Sequence, residues 1–179
     1  MIDGQILLKL ARGAIESAFG KPAPAVEDVP WLRQPGATFV TLTRHGNLRG
    51  CIGALEAYRP LREDVCQNAL AAAFHDSRFP PLENRELTDL KIEVSLLSPQ
   101  QPISFIDEQD ALDQLRPNVD GLVFECGSCR STFLPQVWEQ LPTPRVFMAH
   151  LKRKAGLAEN FWSPEVRLYR YTVSKWKEQ

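Results

Sequence analysis

Apolar residues recur every three to four positions along the first stretch of the chain, which predicts an amphipathic helix over residues 3–19. Gly20 follows this stretch and is typical of a helix end. A second stripe predicts a helix that has Pro60 as its first helical residue and runs to about Phe74. Over residues 89–98 apolar and polar positions alternate, which predicts a strand with one face buried.

A β-hairpin is predicted in the first half of the chain. Residues 37–44 are rich in β-branched side chains, residues 45–47 provide a turn, and residues 48–55 return. The hexapeptide Leu48-Arg49-Gly50-Cys51-Ile52-Gly53, called LRGCIG below, therefore lies on the second strand. Glycine within a strand usually marks a bulge or a close approach of the backbone, so both glycines draw attention to this segment.

The second half of the chain mixes the same kinds of element. It is predicted to contain a helix over 108–116 capped by Asp107, a strand over 121–125, a loop through Cys126–Thr132, a helix that begins at Thr143-Pro144 and ends at Gly156, and a strand over 166–173. We find no repeat and no linker that would divide independent domains. The sequence thus predicts a single α+β domain over residues 1–179, with a mainly antiparallel sheet flanked by helices.

Composition and charge narrow the classes of function. The formal net charge is −1 at pH 7, which argues against binding to nucleic acid through bulk charge. The basic run Lys152-Arg153-Lys154 is interpreted as a solvated helix end. No apolar run approaches the roughly 20 residues that cross a membrane. Since no secretory signal is found at the N-terminus, a cytoplasmic protein with reduced thiols is expected.

The LRGCIG segment is the first candidate for chemistry. In a regular strand Arg49, Cys51 and Gly53 share one face, which brings the arginine and the thiol to about 6–7 Å apart at Cα. A nearby cation stabilises a thiolate, and Glu93 or His75 would then serve as acid or base. The alternative is that Cys51 is a small buried residue in a tightly packed hairpin.

The other cysteines give weaker signals. Cys66 lies beside the apolar stripe of the second helix, where a core thiol is expected. The spacing Cys126-x-x-Cys129 fits a redox pair, half of a zinc site, or two thiols in a loop. No second close pair and no paired-histidine spacing accompanies it, so no metal site and no cofactor are predicted.

Five segments in order resemble the AMMECR1 domain family, and they cover nearly the whole chain. They are LRGCIG, Asp76–Leu82, Ile92–Pro99, Thr132–Val137 and Lys154–Leu157. The resemblance extends to protein A of the AmmeMemoRadiSam system, and it implies a Memo-like protein and a radical SAM protein as partners. It also implies a compact α+β fold of two intertwined lobes, with LRGCIG near the groove between them.

The resemblance implies that the family's suspected site lies at the matching positions of this sequence. It implies binding roles for Arg49, Gly50 and Gly53, with Cys51 at the centre, and the characteristic polar positions Arg78, Glu93 and Thr132 are matched as well. The chain departs from the family at Cys129, where an arginine is expected, and at Ser131, where glycine or alanine is expected. The Cys126-x-x-Cys129 pattern therefore resembles a local substitution.

Three hypotheses about function follow. The first is a binding or accessory component that acts with the Memo-like and radical SAM proteins and takes a small polar or anionic ligand at LRGCIG. The second is an enzyme in which Cys51 is the nucleophile, Glu93 the acid or base, and Arg78 orients an anionic substrate. The third, an RNA-associated factor, ranks below both because of the net charge.

Overall fold

Helices alternate with pairs of β-strands along the chain. The computed structural model describes all of residues 1–179. Chain contacts divide them into unit 1, Met1–Leu97 with Ser174–Gln179, and unit 2, Ser98–Val173. The elements in chain order are α1 (Gly4–Ala18), β1 (Ala37–Arg44), β2 (Asn47–Gly53), α2 (Leu61–Phe74), β3 (Leu90–Leu97), β4 (Gln101–Pro102), α3 (Glu108–Gln114), β5 (Gly121–Cys126), β6 (Cys129–Phe133), α4 (Pro144–Lys154), β7 (Arg167–Tyr171) and β8 (Val173–Lys177). The predicted α+β fold is confirmed, whereas a single domain over 1–179 stays a prediction.

The ends of the helices in unit 1 are set by residues that cap them. The Asp3 carboxylate caps α1 by accepting a hydrogen bond of 2.8 Å from the Gln5 N–H, and Gly20 follows the helix with a φ of +78°. The sequence predicted Pro60 as the first helical residue of α2, but Pro60 is the residue before the helix, which begins at Leu61. Its ψ of 140° is extended, while its carbonyl already accepts a hydrogen bond from the Asp64 N–H at 3.0 Å.

The sheet of unit 1 has the strand order β2-β1-β3-β8, so β2 is an edge strand. The predicted hairpin is confirmed, with a two-residue turn at His45 and Gly46. Both turn residues have positive φ, 49° and 79°, which is the type I′ geometry that suits the twist of a hairpin. The second strand ends at Gly53, two residues before the predicted end.

Helices α1 and α2 cover one face of this sheet. Val40, Leu42, Ile92 and Val94 point toward the helices and are fully buried. The predicted alternation fails near the end of β3, where Ser95 is buried and Leu96 is only half-buried. Ser95 lies on the face away from the helices and is buried nonetheless, so burial at this end of β3 does not follow the alternation of polar and apolar residues.

Unit 2 has a sheet of order β4-β7-β5-β6 with its own apolar core, in which the Trp138 and Phe147 rings stack with centroids 3.8 Å apart. Residues 126–132 were predicted to be a loop, and this was wrong. They complete a hairpin whose turn is Gly127-Ser128, because Gly127 has a φ of +58° and glycine at this first turn position suits a tight hairpin. The last strand, β8, was not predicted.

The helices of unit 2 begin where they were predicted to begin, but the interpretation of Lys152 was wrong. Asp107 accepts a hydrogen bond from the Asp110 N–H at 2.8 Å to cap α3, and Thr143 caps α4. Lys152 was interpreted as part of a solvated helix end, but its side chain is buried. Its ammonium pairs with Glu108 and lies 5.4 Å from the centre of the Trp162 ring, so the buried charge is compensated.

None of the helices combines the length and the apolar character that crossing a membrane requires.

Candidate functional site

Strand β2 is bulged at the position of Arg49. Its pairing with β1 runs from Gly53 to Gly50 in one register and then shifts, so that Gly50 faces Leu42 while Leu48 faces Thr43. Arg49 is the extra residue and has no partner opposite it. The shared strand face expected for Arg49 and Cys51 assumed a regular strand, and this bulge removes the basis for that expectation.

Both glycines of LRGCIG allow close packing. A Cβ on Gly50 would lie 2.1 Å from the Ala72 carbonyl oxygen, so β2 approaches the backbone of α2 here. A Cβ on Gly53 would lie 2.3 Å from Cγ of Phe39 and 2.5 Å from the Thr38 carbonyl oxygen. Since real Cβ atoms do not come this close to backbone oxygen atoms, only glycine fits either position without a shift.

A buried carboxylate holds β1 against α2 beside Gly53. The Asp64 side chain is fully buried and accepts hydrogen bonds from the Thr38 N–H at 2.7 Å and from the Thr38 hydroxyl at 2.6 Å. Arg59 and Asn68 donate to the same carboxylate at 2.8 and 3.0 Å. The charge is therefore paired and hydrogen-bonded, and the strand next to LRGCIG is fixed in place.

Cys51 is held through its main chain on the open edge of the sheet. Its N–H donates to Oδ2 of Asp76 at 2.9 Å, and its carbonyl accepts from Nη2 of Arg78 at 3.3 Å. In an antiparallel edge strand every second residue points both groups away from the sheet, and Cys51 is such a residue. The side chains of Asp76 and Arg78 thus take the place of a neighbouring strand.

Asp76 and Arg78 are themselves tightly joined. The Asp76 carboxylate is buried and accepts from Nε of Arg78 at 2.9 Å, from Nη2 at 2.6 Å and from the Arg78 N–H at 3.1 Å. The hydrogen bonds from Arg78 hold the pKa of the Asp76 carboxyl well below its usual range. The same contact raises the pKa of Arg78, whose side chain stays 54% exposed.

The Cys51 thiol lies on the face of the sheet opposite the helices. Its sulfur is 3.3 Å from the Thr41 hydroxyl oxygen on the neighbouring strand, and the Cys51 residue is half-buried. Thr41 in turn is paired with Glu93 on β3. We call the surface formed by Thr41, Cys51 and Glu93, with Arg78 at its edge, the Cys51 face.

The predicted site residues are only partly brought together. Glu93 is two strands away from Cys51, which places their Cα atoms about 10 Å apart with Thr41 between them. His75, the other candidate base, is an exposed residue at the end of α2. Thr132 belongs to unit 2, where its hydroxyl is 3.1 Å from that of Tyr171.

Arg49 takes part in a second cluster of charges. Its guanidinium binds the buried carboxylate of Glu86 through two hydrogen bonds of 2.9 and 3.0 Å, and Arg44 binds the same carboxylate at 2.8 Å. The hydrogen bonds from Arg49 lower the pKa of Glu86 to about 2. A cleft of about 380 Å³ borders this cluster, with Pro80 and Pro81 on its wall.

Asp76, Thr41 and Glu86 were not selected from the sequence. Asp76 and Arg78 stand in one of the segments that carry the family resemblance, so their pairing had a signal that was used only for Arg78. For Thr41 the signal is the alternation of buried and half-buried residues along β1, which places Thr41 on the face away from the helices. Glu86 stands in a short turn with no pattern that points toward Arg49.

The thiols outside the Cys51 face are unpaired in the structure. Cys66 lies on α2, where burial raises the pKa of its thiol, and its sulfur is 3.9 Å from the Leu10 carbonyl oxygen. Cys126 and Cys129 stand opposite one another at the end of the β5–β6 hairpin and form no disulfide. Nowhere do three or more His, Cys, Asp or Glu side chains gather in a way that would hold a metal ion.

Comparison with known proteins gives matches along almost the full chain. The model of the protein family described as AMMECR1 matches residues 8–176. A protein of Methanothermobacter thermautotrophicus is 38% identical over 98% of this chain and 94% of its own length, and one of Methanocaldococcus jannaschii is 32% identical over 98% and 90%. The crystal structure of an uncharacterized protein from Pyrococcus horikoshii superposes with a TM-score of 0.80 at 33% identity, covering 98% of this chain and 91% of the other.

Proposed function

The chain belongs to the AMMECR1 family, and on that premise we propose that it is a binding or accessory component that acts through the Cys51 face. One observation carries the proposal. Asp76 and Arg78 fix the main chain of Cys51 on both sides, yet they leave its thiol on the face of the sheet beside the Thr41 hydroxyl. This arrangement provides a rigid surface of mixed polarity, which is what recognition of a partner or ligand requires.

The proposed ligand chemistry follows from the donors that remain on Arg78. Its Nε and Nη2 are engaged by Asp76 and by the Cys51 carbonyl, whereas Nη1 has no hydrogen-bond partner within the chain. The exposed guanidinium therefore has donors available for a carboxylate or phosphate oxygen. A small anionic ligand, or an acidic side chain of a partner protein, suits this edge of the Cys51 face.

The proposed partners are a Memo-like protein and a radical SAM protein. They follow from the similarity to protein A of the AmmeMemoRadiSam system. In such an assembly this chain would supply a recognition surface, and the cofactor chemistry would belong to the radical SAM partner.

A second candidate function is catalysis by Cys51. The Thr41 hydroxyl within 3.3 Å of the sulfur and the cation of Arg78 at the neighbouring carbonyl favour it. Nucleophilic cysteines also need a base within hydrogen-bond reach, and the hydrogen-bond partner of the Cys51 sulfur is Thr41 rather than Glu93 or His75. Binding is for this reason the better supported function.

Size-exclusion chromatography of this chain mixed with the Memo-like and radical SAM proteins of the same organism tests the proposal. We expect a complex with at least one of them for the wild-type chain. Thr41→Val and Glu93→Gln alter the Cys51 face without touching the contact between Asp76 and Arg78, and we expect both to weaken the complex. Arg33→Gln is the matched control, because Arg33 is an exposed residue of unit 1 outside this face.

A complex that forms equally well with Thr41→Val, Glu93→Gln and the control would contradict the proposed surface. If the wild-type chain joins neither protein, with or without added phosphate or citrate, the accessory role itself is wrong. Catalysis by Cys51 would then be the leading candidate, and its sign would be alkylation of Cys51 faster than that of free cysteine near pH 7.

A further inference from the structure

We propose that Cys126 and Cys129 form a covalent modification site, a dithiol that closes to a disulfide by exchange with a small-molecule disulfide such as oxidised glutathione. The site lies in unit 2. It does not depend on the function proposed for the Cys51 face.

The register of the hairpin places the two cysteines directly opposite one another. Cys126 ends β5, Cys129 begins β6, and only the turn residues Gly127 and Ser128 lie between them. The residues that close a two-residue hairpin form a hydrogen-bonded pair with Cα atoms about 5.5 Å apart. Disulfides join cysteines whose Cα atoms are roughly 4.4–6.8 Å apart, so this spacing is already suitable.

The two side chains also lie on the same face of the sheet. Paired residues of neighbouring strands project to one side, with Cβ atoms about 4.5–5.5 Å apart, and a disulfide needs roughly 3.8 Å. A hydrogen-bonded pair lies at the wider end of this range, so closure requires the Cβ atoms to approach by roughly 1.5–2 Å. The turn residues Gly127 and Ser128 are exposed, and beyond the chain neighbours of Gly127 no atom lies within 4 Å of a Cβ added there, so this side of the turn leaves room for the movement.

Access distinguishes the two thiols. Both residues are half-buried, but Cys126 packs against the apolar core of unit 2 and Cys129 stands outside that core. Cys129 is therefore the thiol that meets a disulfide first, and Cys126 is the resolving thiol. This order is the one found in reactive pairs, in which an accessible thiol is attacked internally after it has reacted.

The exchange balances without any further reactant. The Cys129 thiolate attacks one sulfur of oxidised glutathione, a mixed disulfide forms, and one glutathione leaves as a thiolate that takes up the proton Cys129 released. The Cys126 thiolate then attacks the Cys129 sulfur, which forms the internal disulfide and releases the second glutathione. The two protein thiols are oxidised, and one glutathione disulfide is reduced to two thiols.

The other two cysteines provide internal controls. Cys51 is paired with Thr41 in its sheet, and Cys66 lies on a helix beside the core, so neither has a cysteine opposite it. They are expected to remain thiols or to stop at a mixed disulfide. The proposal therefore predicts one particular linkage among four cysteines.

Mass spectrometry of the reduced chain incubated with oxidised glutathione tests the proposal. In the wild-type chain we expect loss of two hydrogen atoms and a peptide that links Cys126 to Cys129, reversed by dithiothreitol. Cys126→Ser is expected to stop at one glutathione on Cys129, because the resolving thiol is absent. The double variant Cys51→Ser, Cys66→Ser is expected to form the internal disulfide as the wild type does.

Two results would overturn the proposal. One is a wild-type chain that keeps stable glutathione adducts on Cys126 or Cys129 without forming the internal linkage. The other is a chain in which both thiols remain free while added glutathione disulfide oxidises a short control peptide that contains Cys-Gly-Ser-Cys. Circular dichroism of each variant ensures that a folded chain is compared in every case.

Discussion

The main-chain N–H of Cys51 donates to the Asp76 carboxylate at 2.9 Å and thereby joins the middle of β2 to the segment that follows α2. The contact spans 25 positions of sequence. Arg78 closes the arrangement by binding both the carboxylate and the Cys51 carbonyl. LRGCIG and Asp76–Leu82, two of the segments that resemble the family, therefore contact each other in the fold.

Asp76→Asn is expected to destabilise the fold by about 2 kcal/mol. The amide can still accept from the Cys51 N–H, but it loses the charge that binds the Arg78 guanidinium, and hydrogen bonds to charged groups contribute more than neutral ones. Urea denaturation at pH 7 measures the change. Asp28→Asn removes an exposed carboxylate that pairs with Arg33 and is expected to change little. Equal stability of the two variants would contradict the structural role of Asp76.

Gly50→Ala is expected to destabilise unit 1 by about 2 kcal/mol or more. The new methyl group would lie 2.1 Å from the Ala72 carbonyl oxygen, and a backbone atom of a helix cannot move aside without shifting its neighbours. Thermal unfolding followed by circular dichroism measures the effect. Ser77→Ala, at an exposed position of the adjoining segment, is the control. A Gly50→Ala chain as stable as the wild type would mean that β2 and α2 are further apart than described.

Acid is expected to remove the stability contributed by Glu86. Its folded-state pKa of about 2 lies below the value of roughly 4.3 for an unfolded chain, so the contribution is fully present above about pH 4.5. It is lost as the pH falls from there toward 2. Glu86→Gln is therefore expected to be less stable than the wild type at pH 7 and to approach it at low pH.

Urea denaturation of both chains between pH 7 and pH 2.5 provides the comparison. Asp76 has a lowered pKa as well and loses its contribution in the same direction, so both chains weaken in acid. A constant difference between wild type and Glu86→Gln over the whole range would show that the Glu86 charge contributes nothing to the difference.

Cys66 is expected to be alkylated more slowly than an ordinary cysteine near neutral pH. Burial raises the pKa of its thiol, and the thiolate is the form that reacts. Iodoacetamide labelling followed by peptide mass spectrometry measures the rate for each cysteine, and the Cys66 rate should rise as the pH increases. Labelling of Cys66 as fast as free cysteine at pH 7 would contradict its place beside the core.

Much of the fold could be predicted because its signals are local. The apolar stripes of α1 and α2, the alternation of β3 and the caps at Asp107 and Thr143 each depend on a few neighbouring residues. The Gly127-Ser128 turn also has a local signal, because glycine at the first turn position permits the positive φ of a tight hairpin.

The site was harder to predict because its contacts are distant in sequence. The bulge at Arg49 depends on the pairing of two strands, and the partner of Arg49 is Glu86, 37 positions away. A buried lysine such as Lys152 is equally invisible in a basic run, since its partner Glu108 is 44 positions away. Chemistry that joins separate elements becomes apparent only once the elements are packed.

Isothermal titration of the purified Memo-like and radical SAM proteins into wild-type, Cys51→Ser and Arg78→Gln chains tests the central claim most directly. If the Cys51 face is a binding surface, Cys51→Ser keeps its affinity within a few-fold, while Arg78→Gln loses roughly tenfold or more, about 1.4 kcal/mol. Stability measurements must show that both variants are folded. Undiminished binding by folded Arg78→Gln would contradict the account.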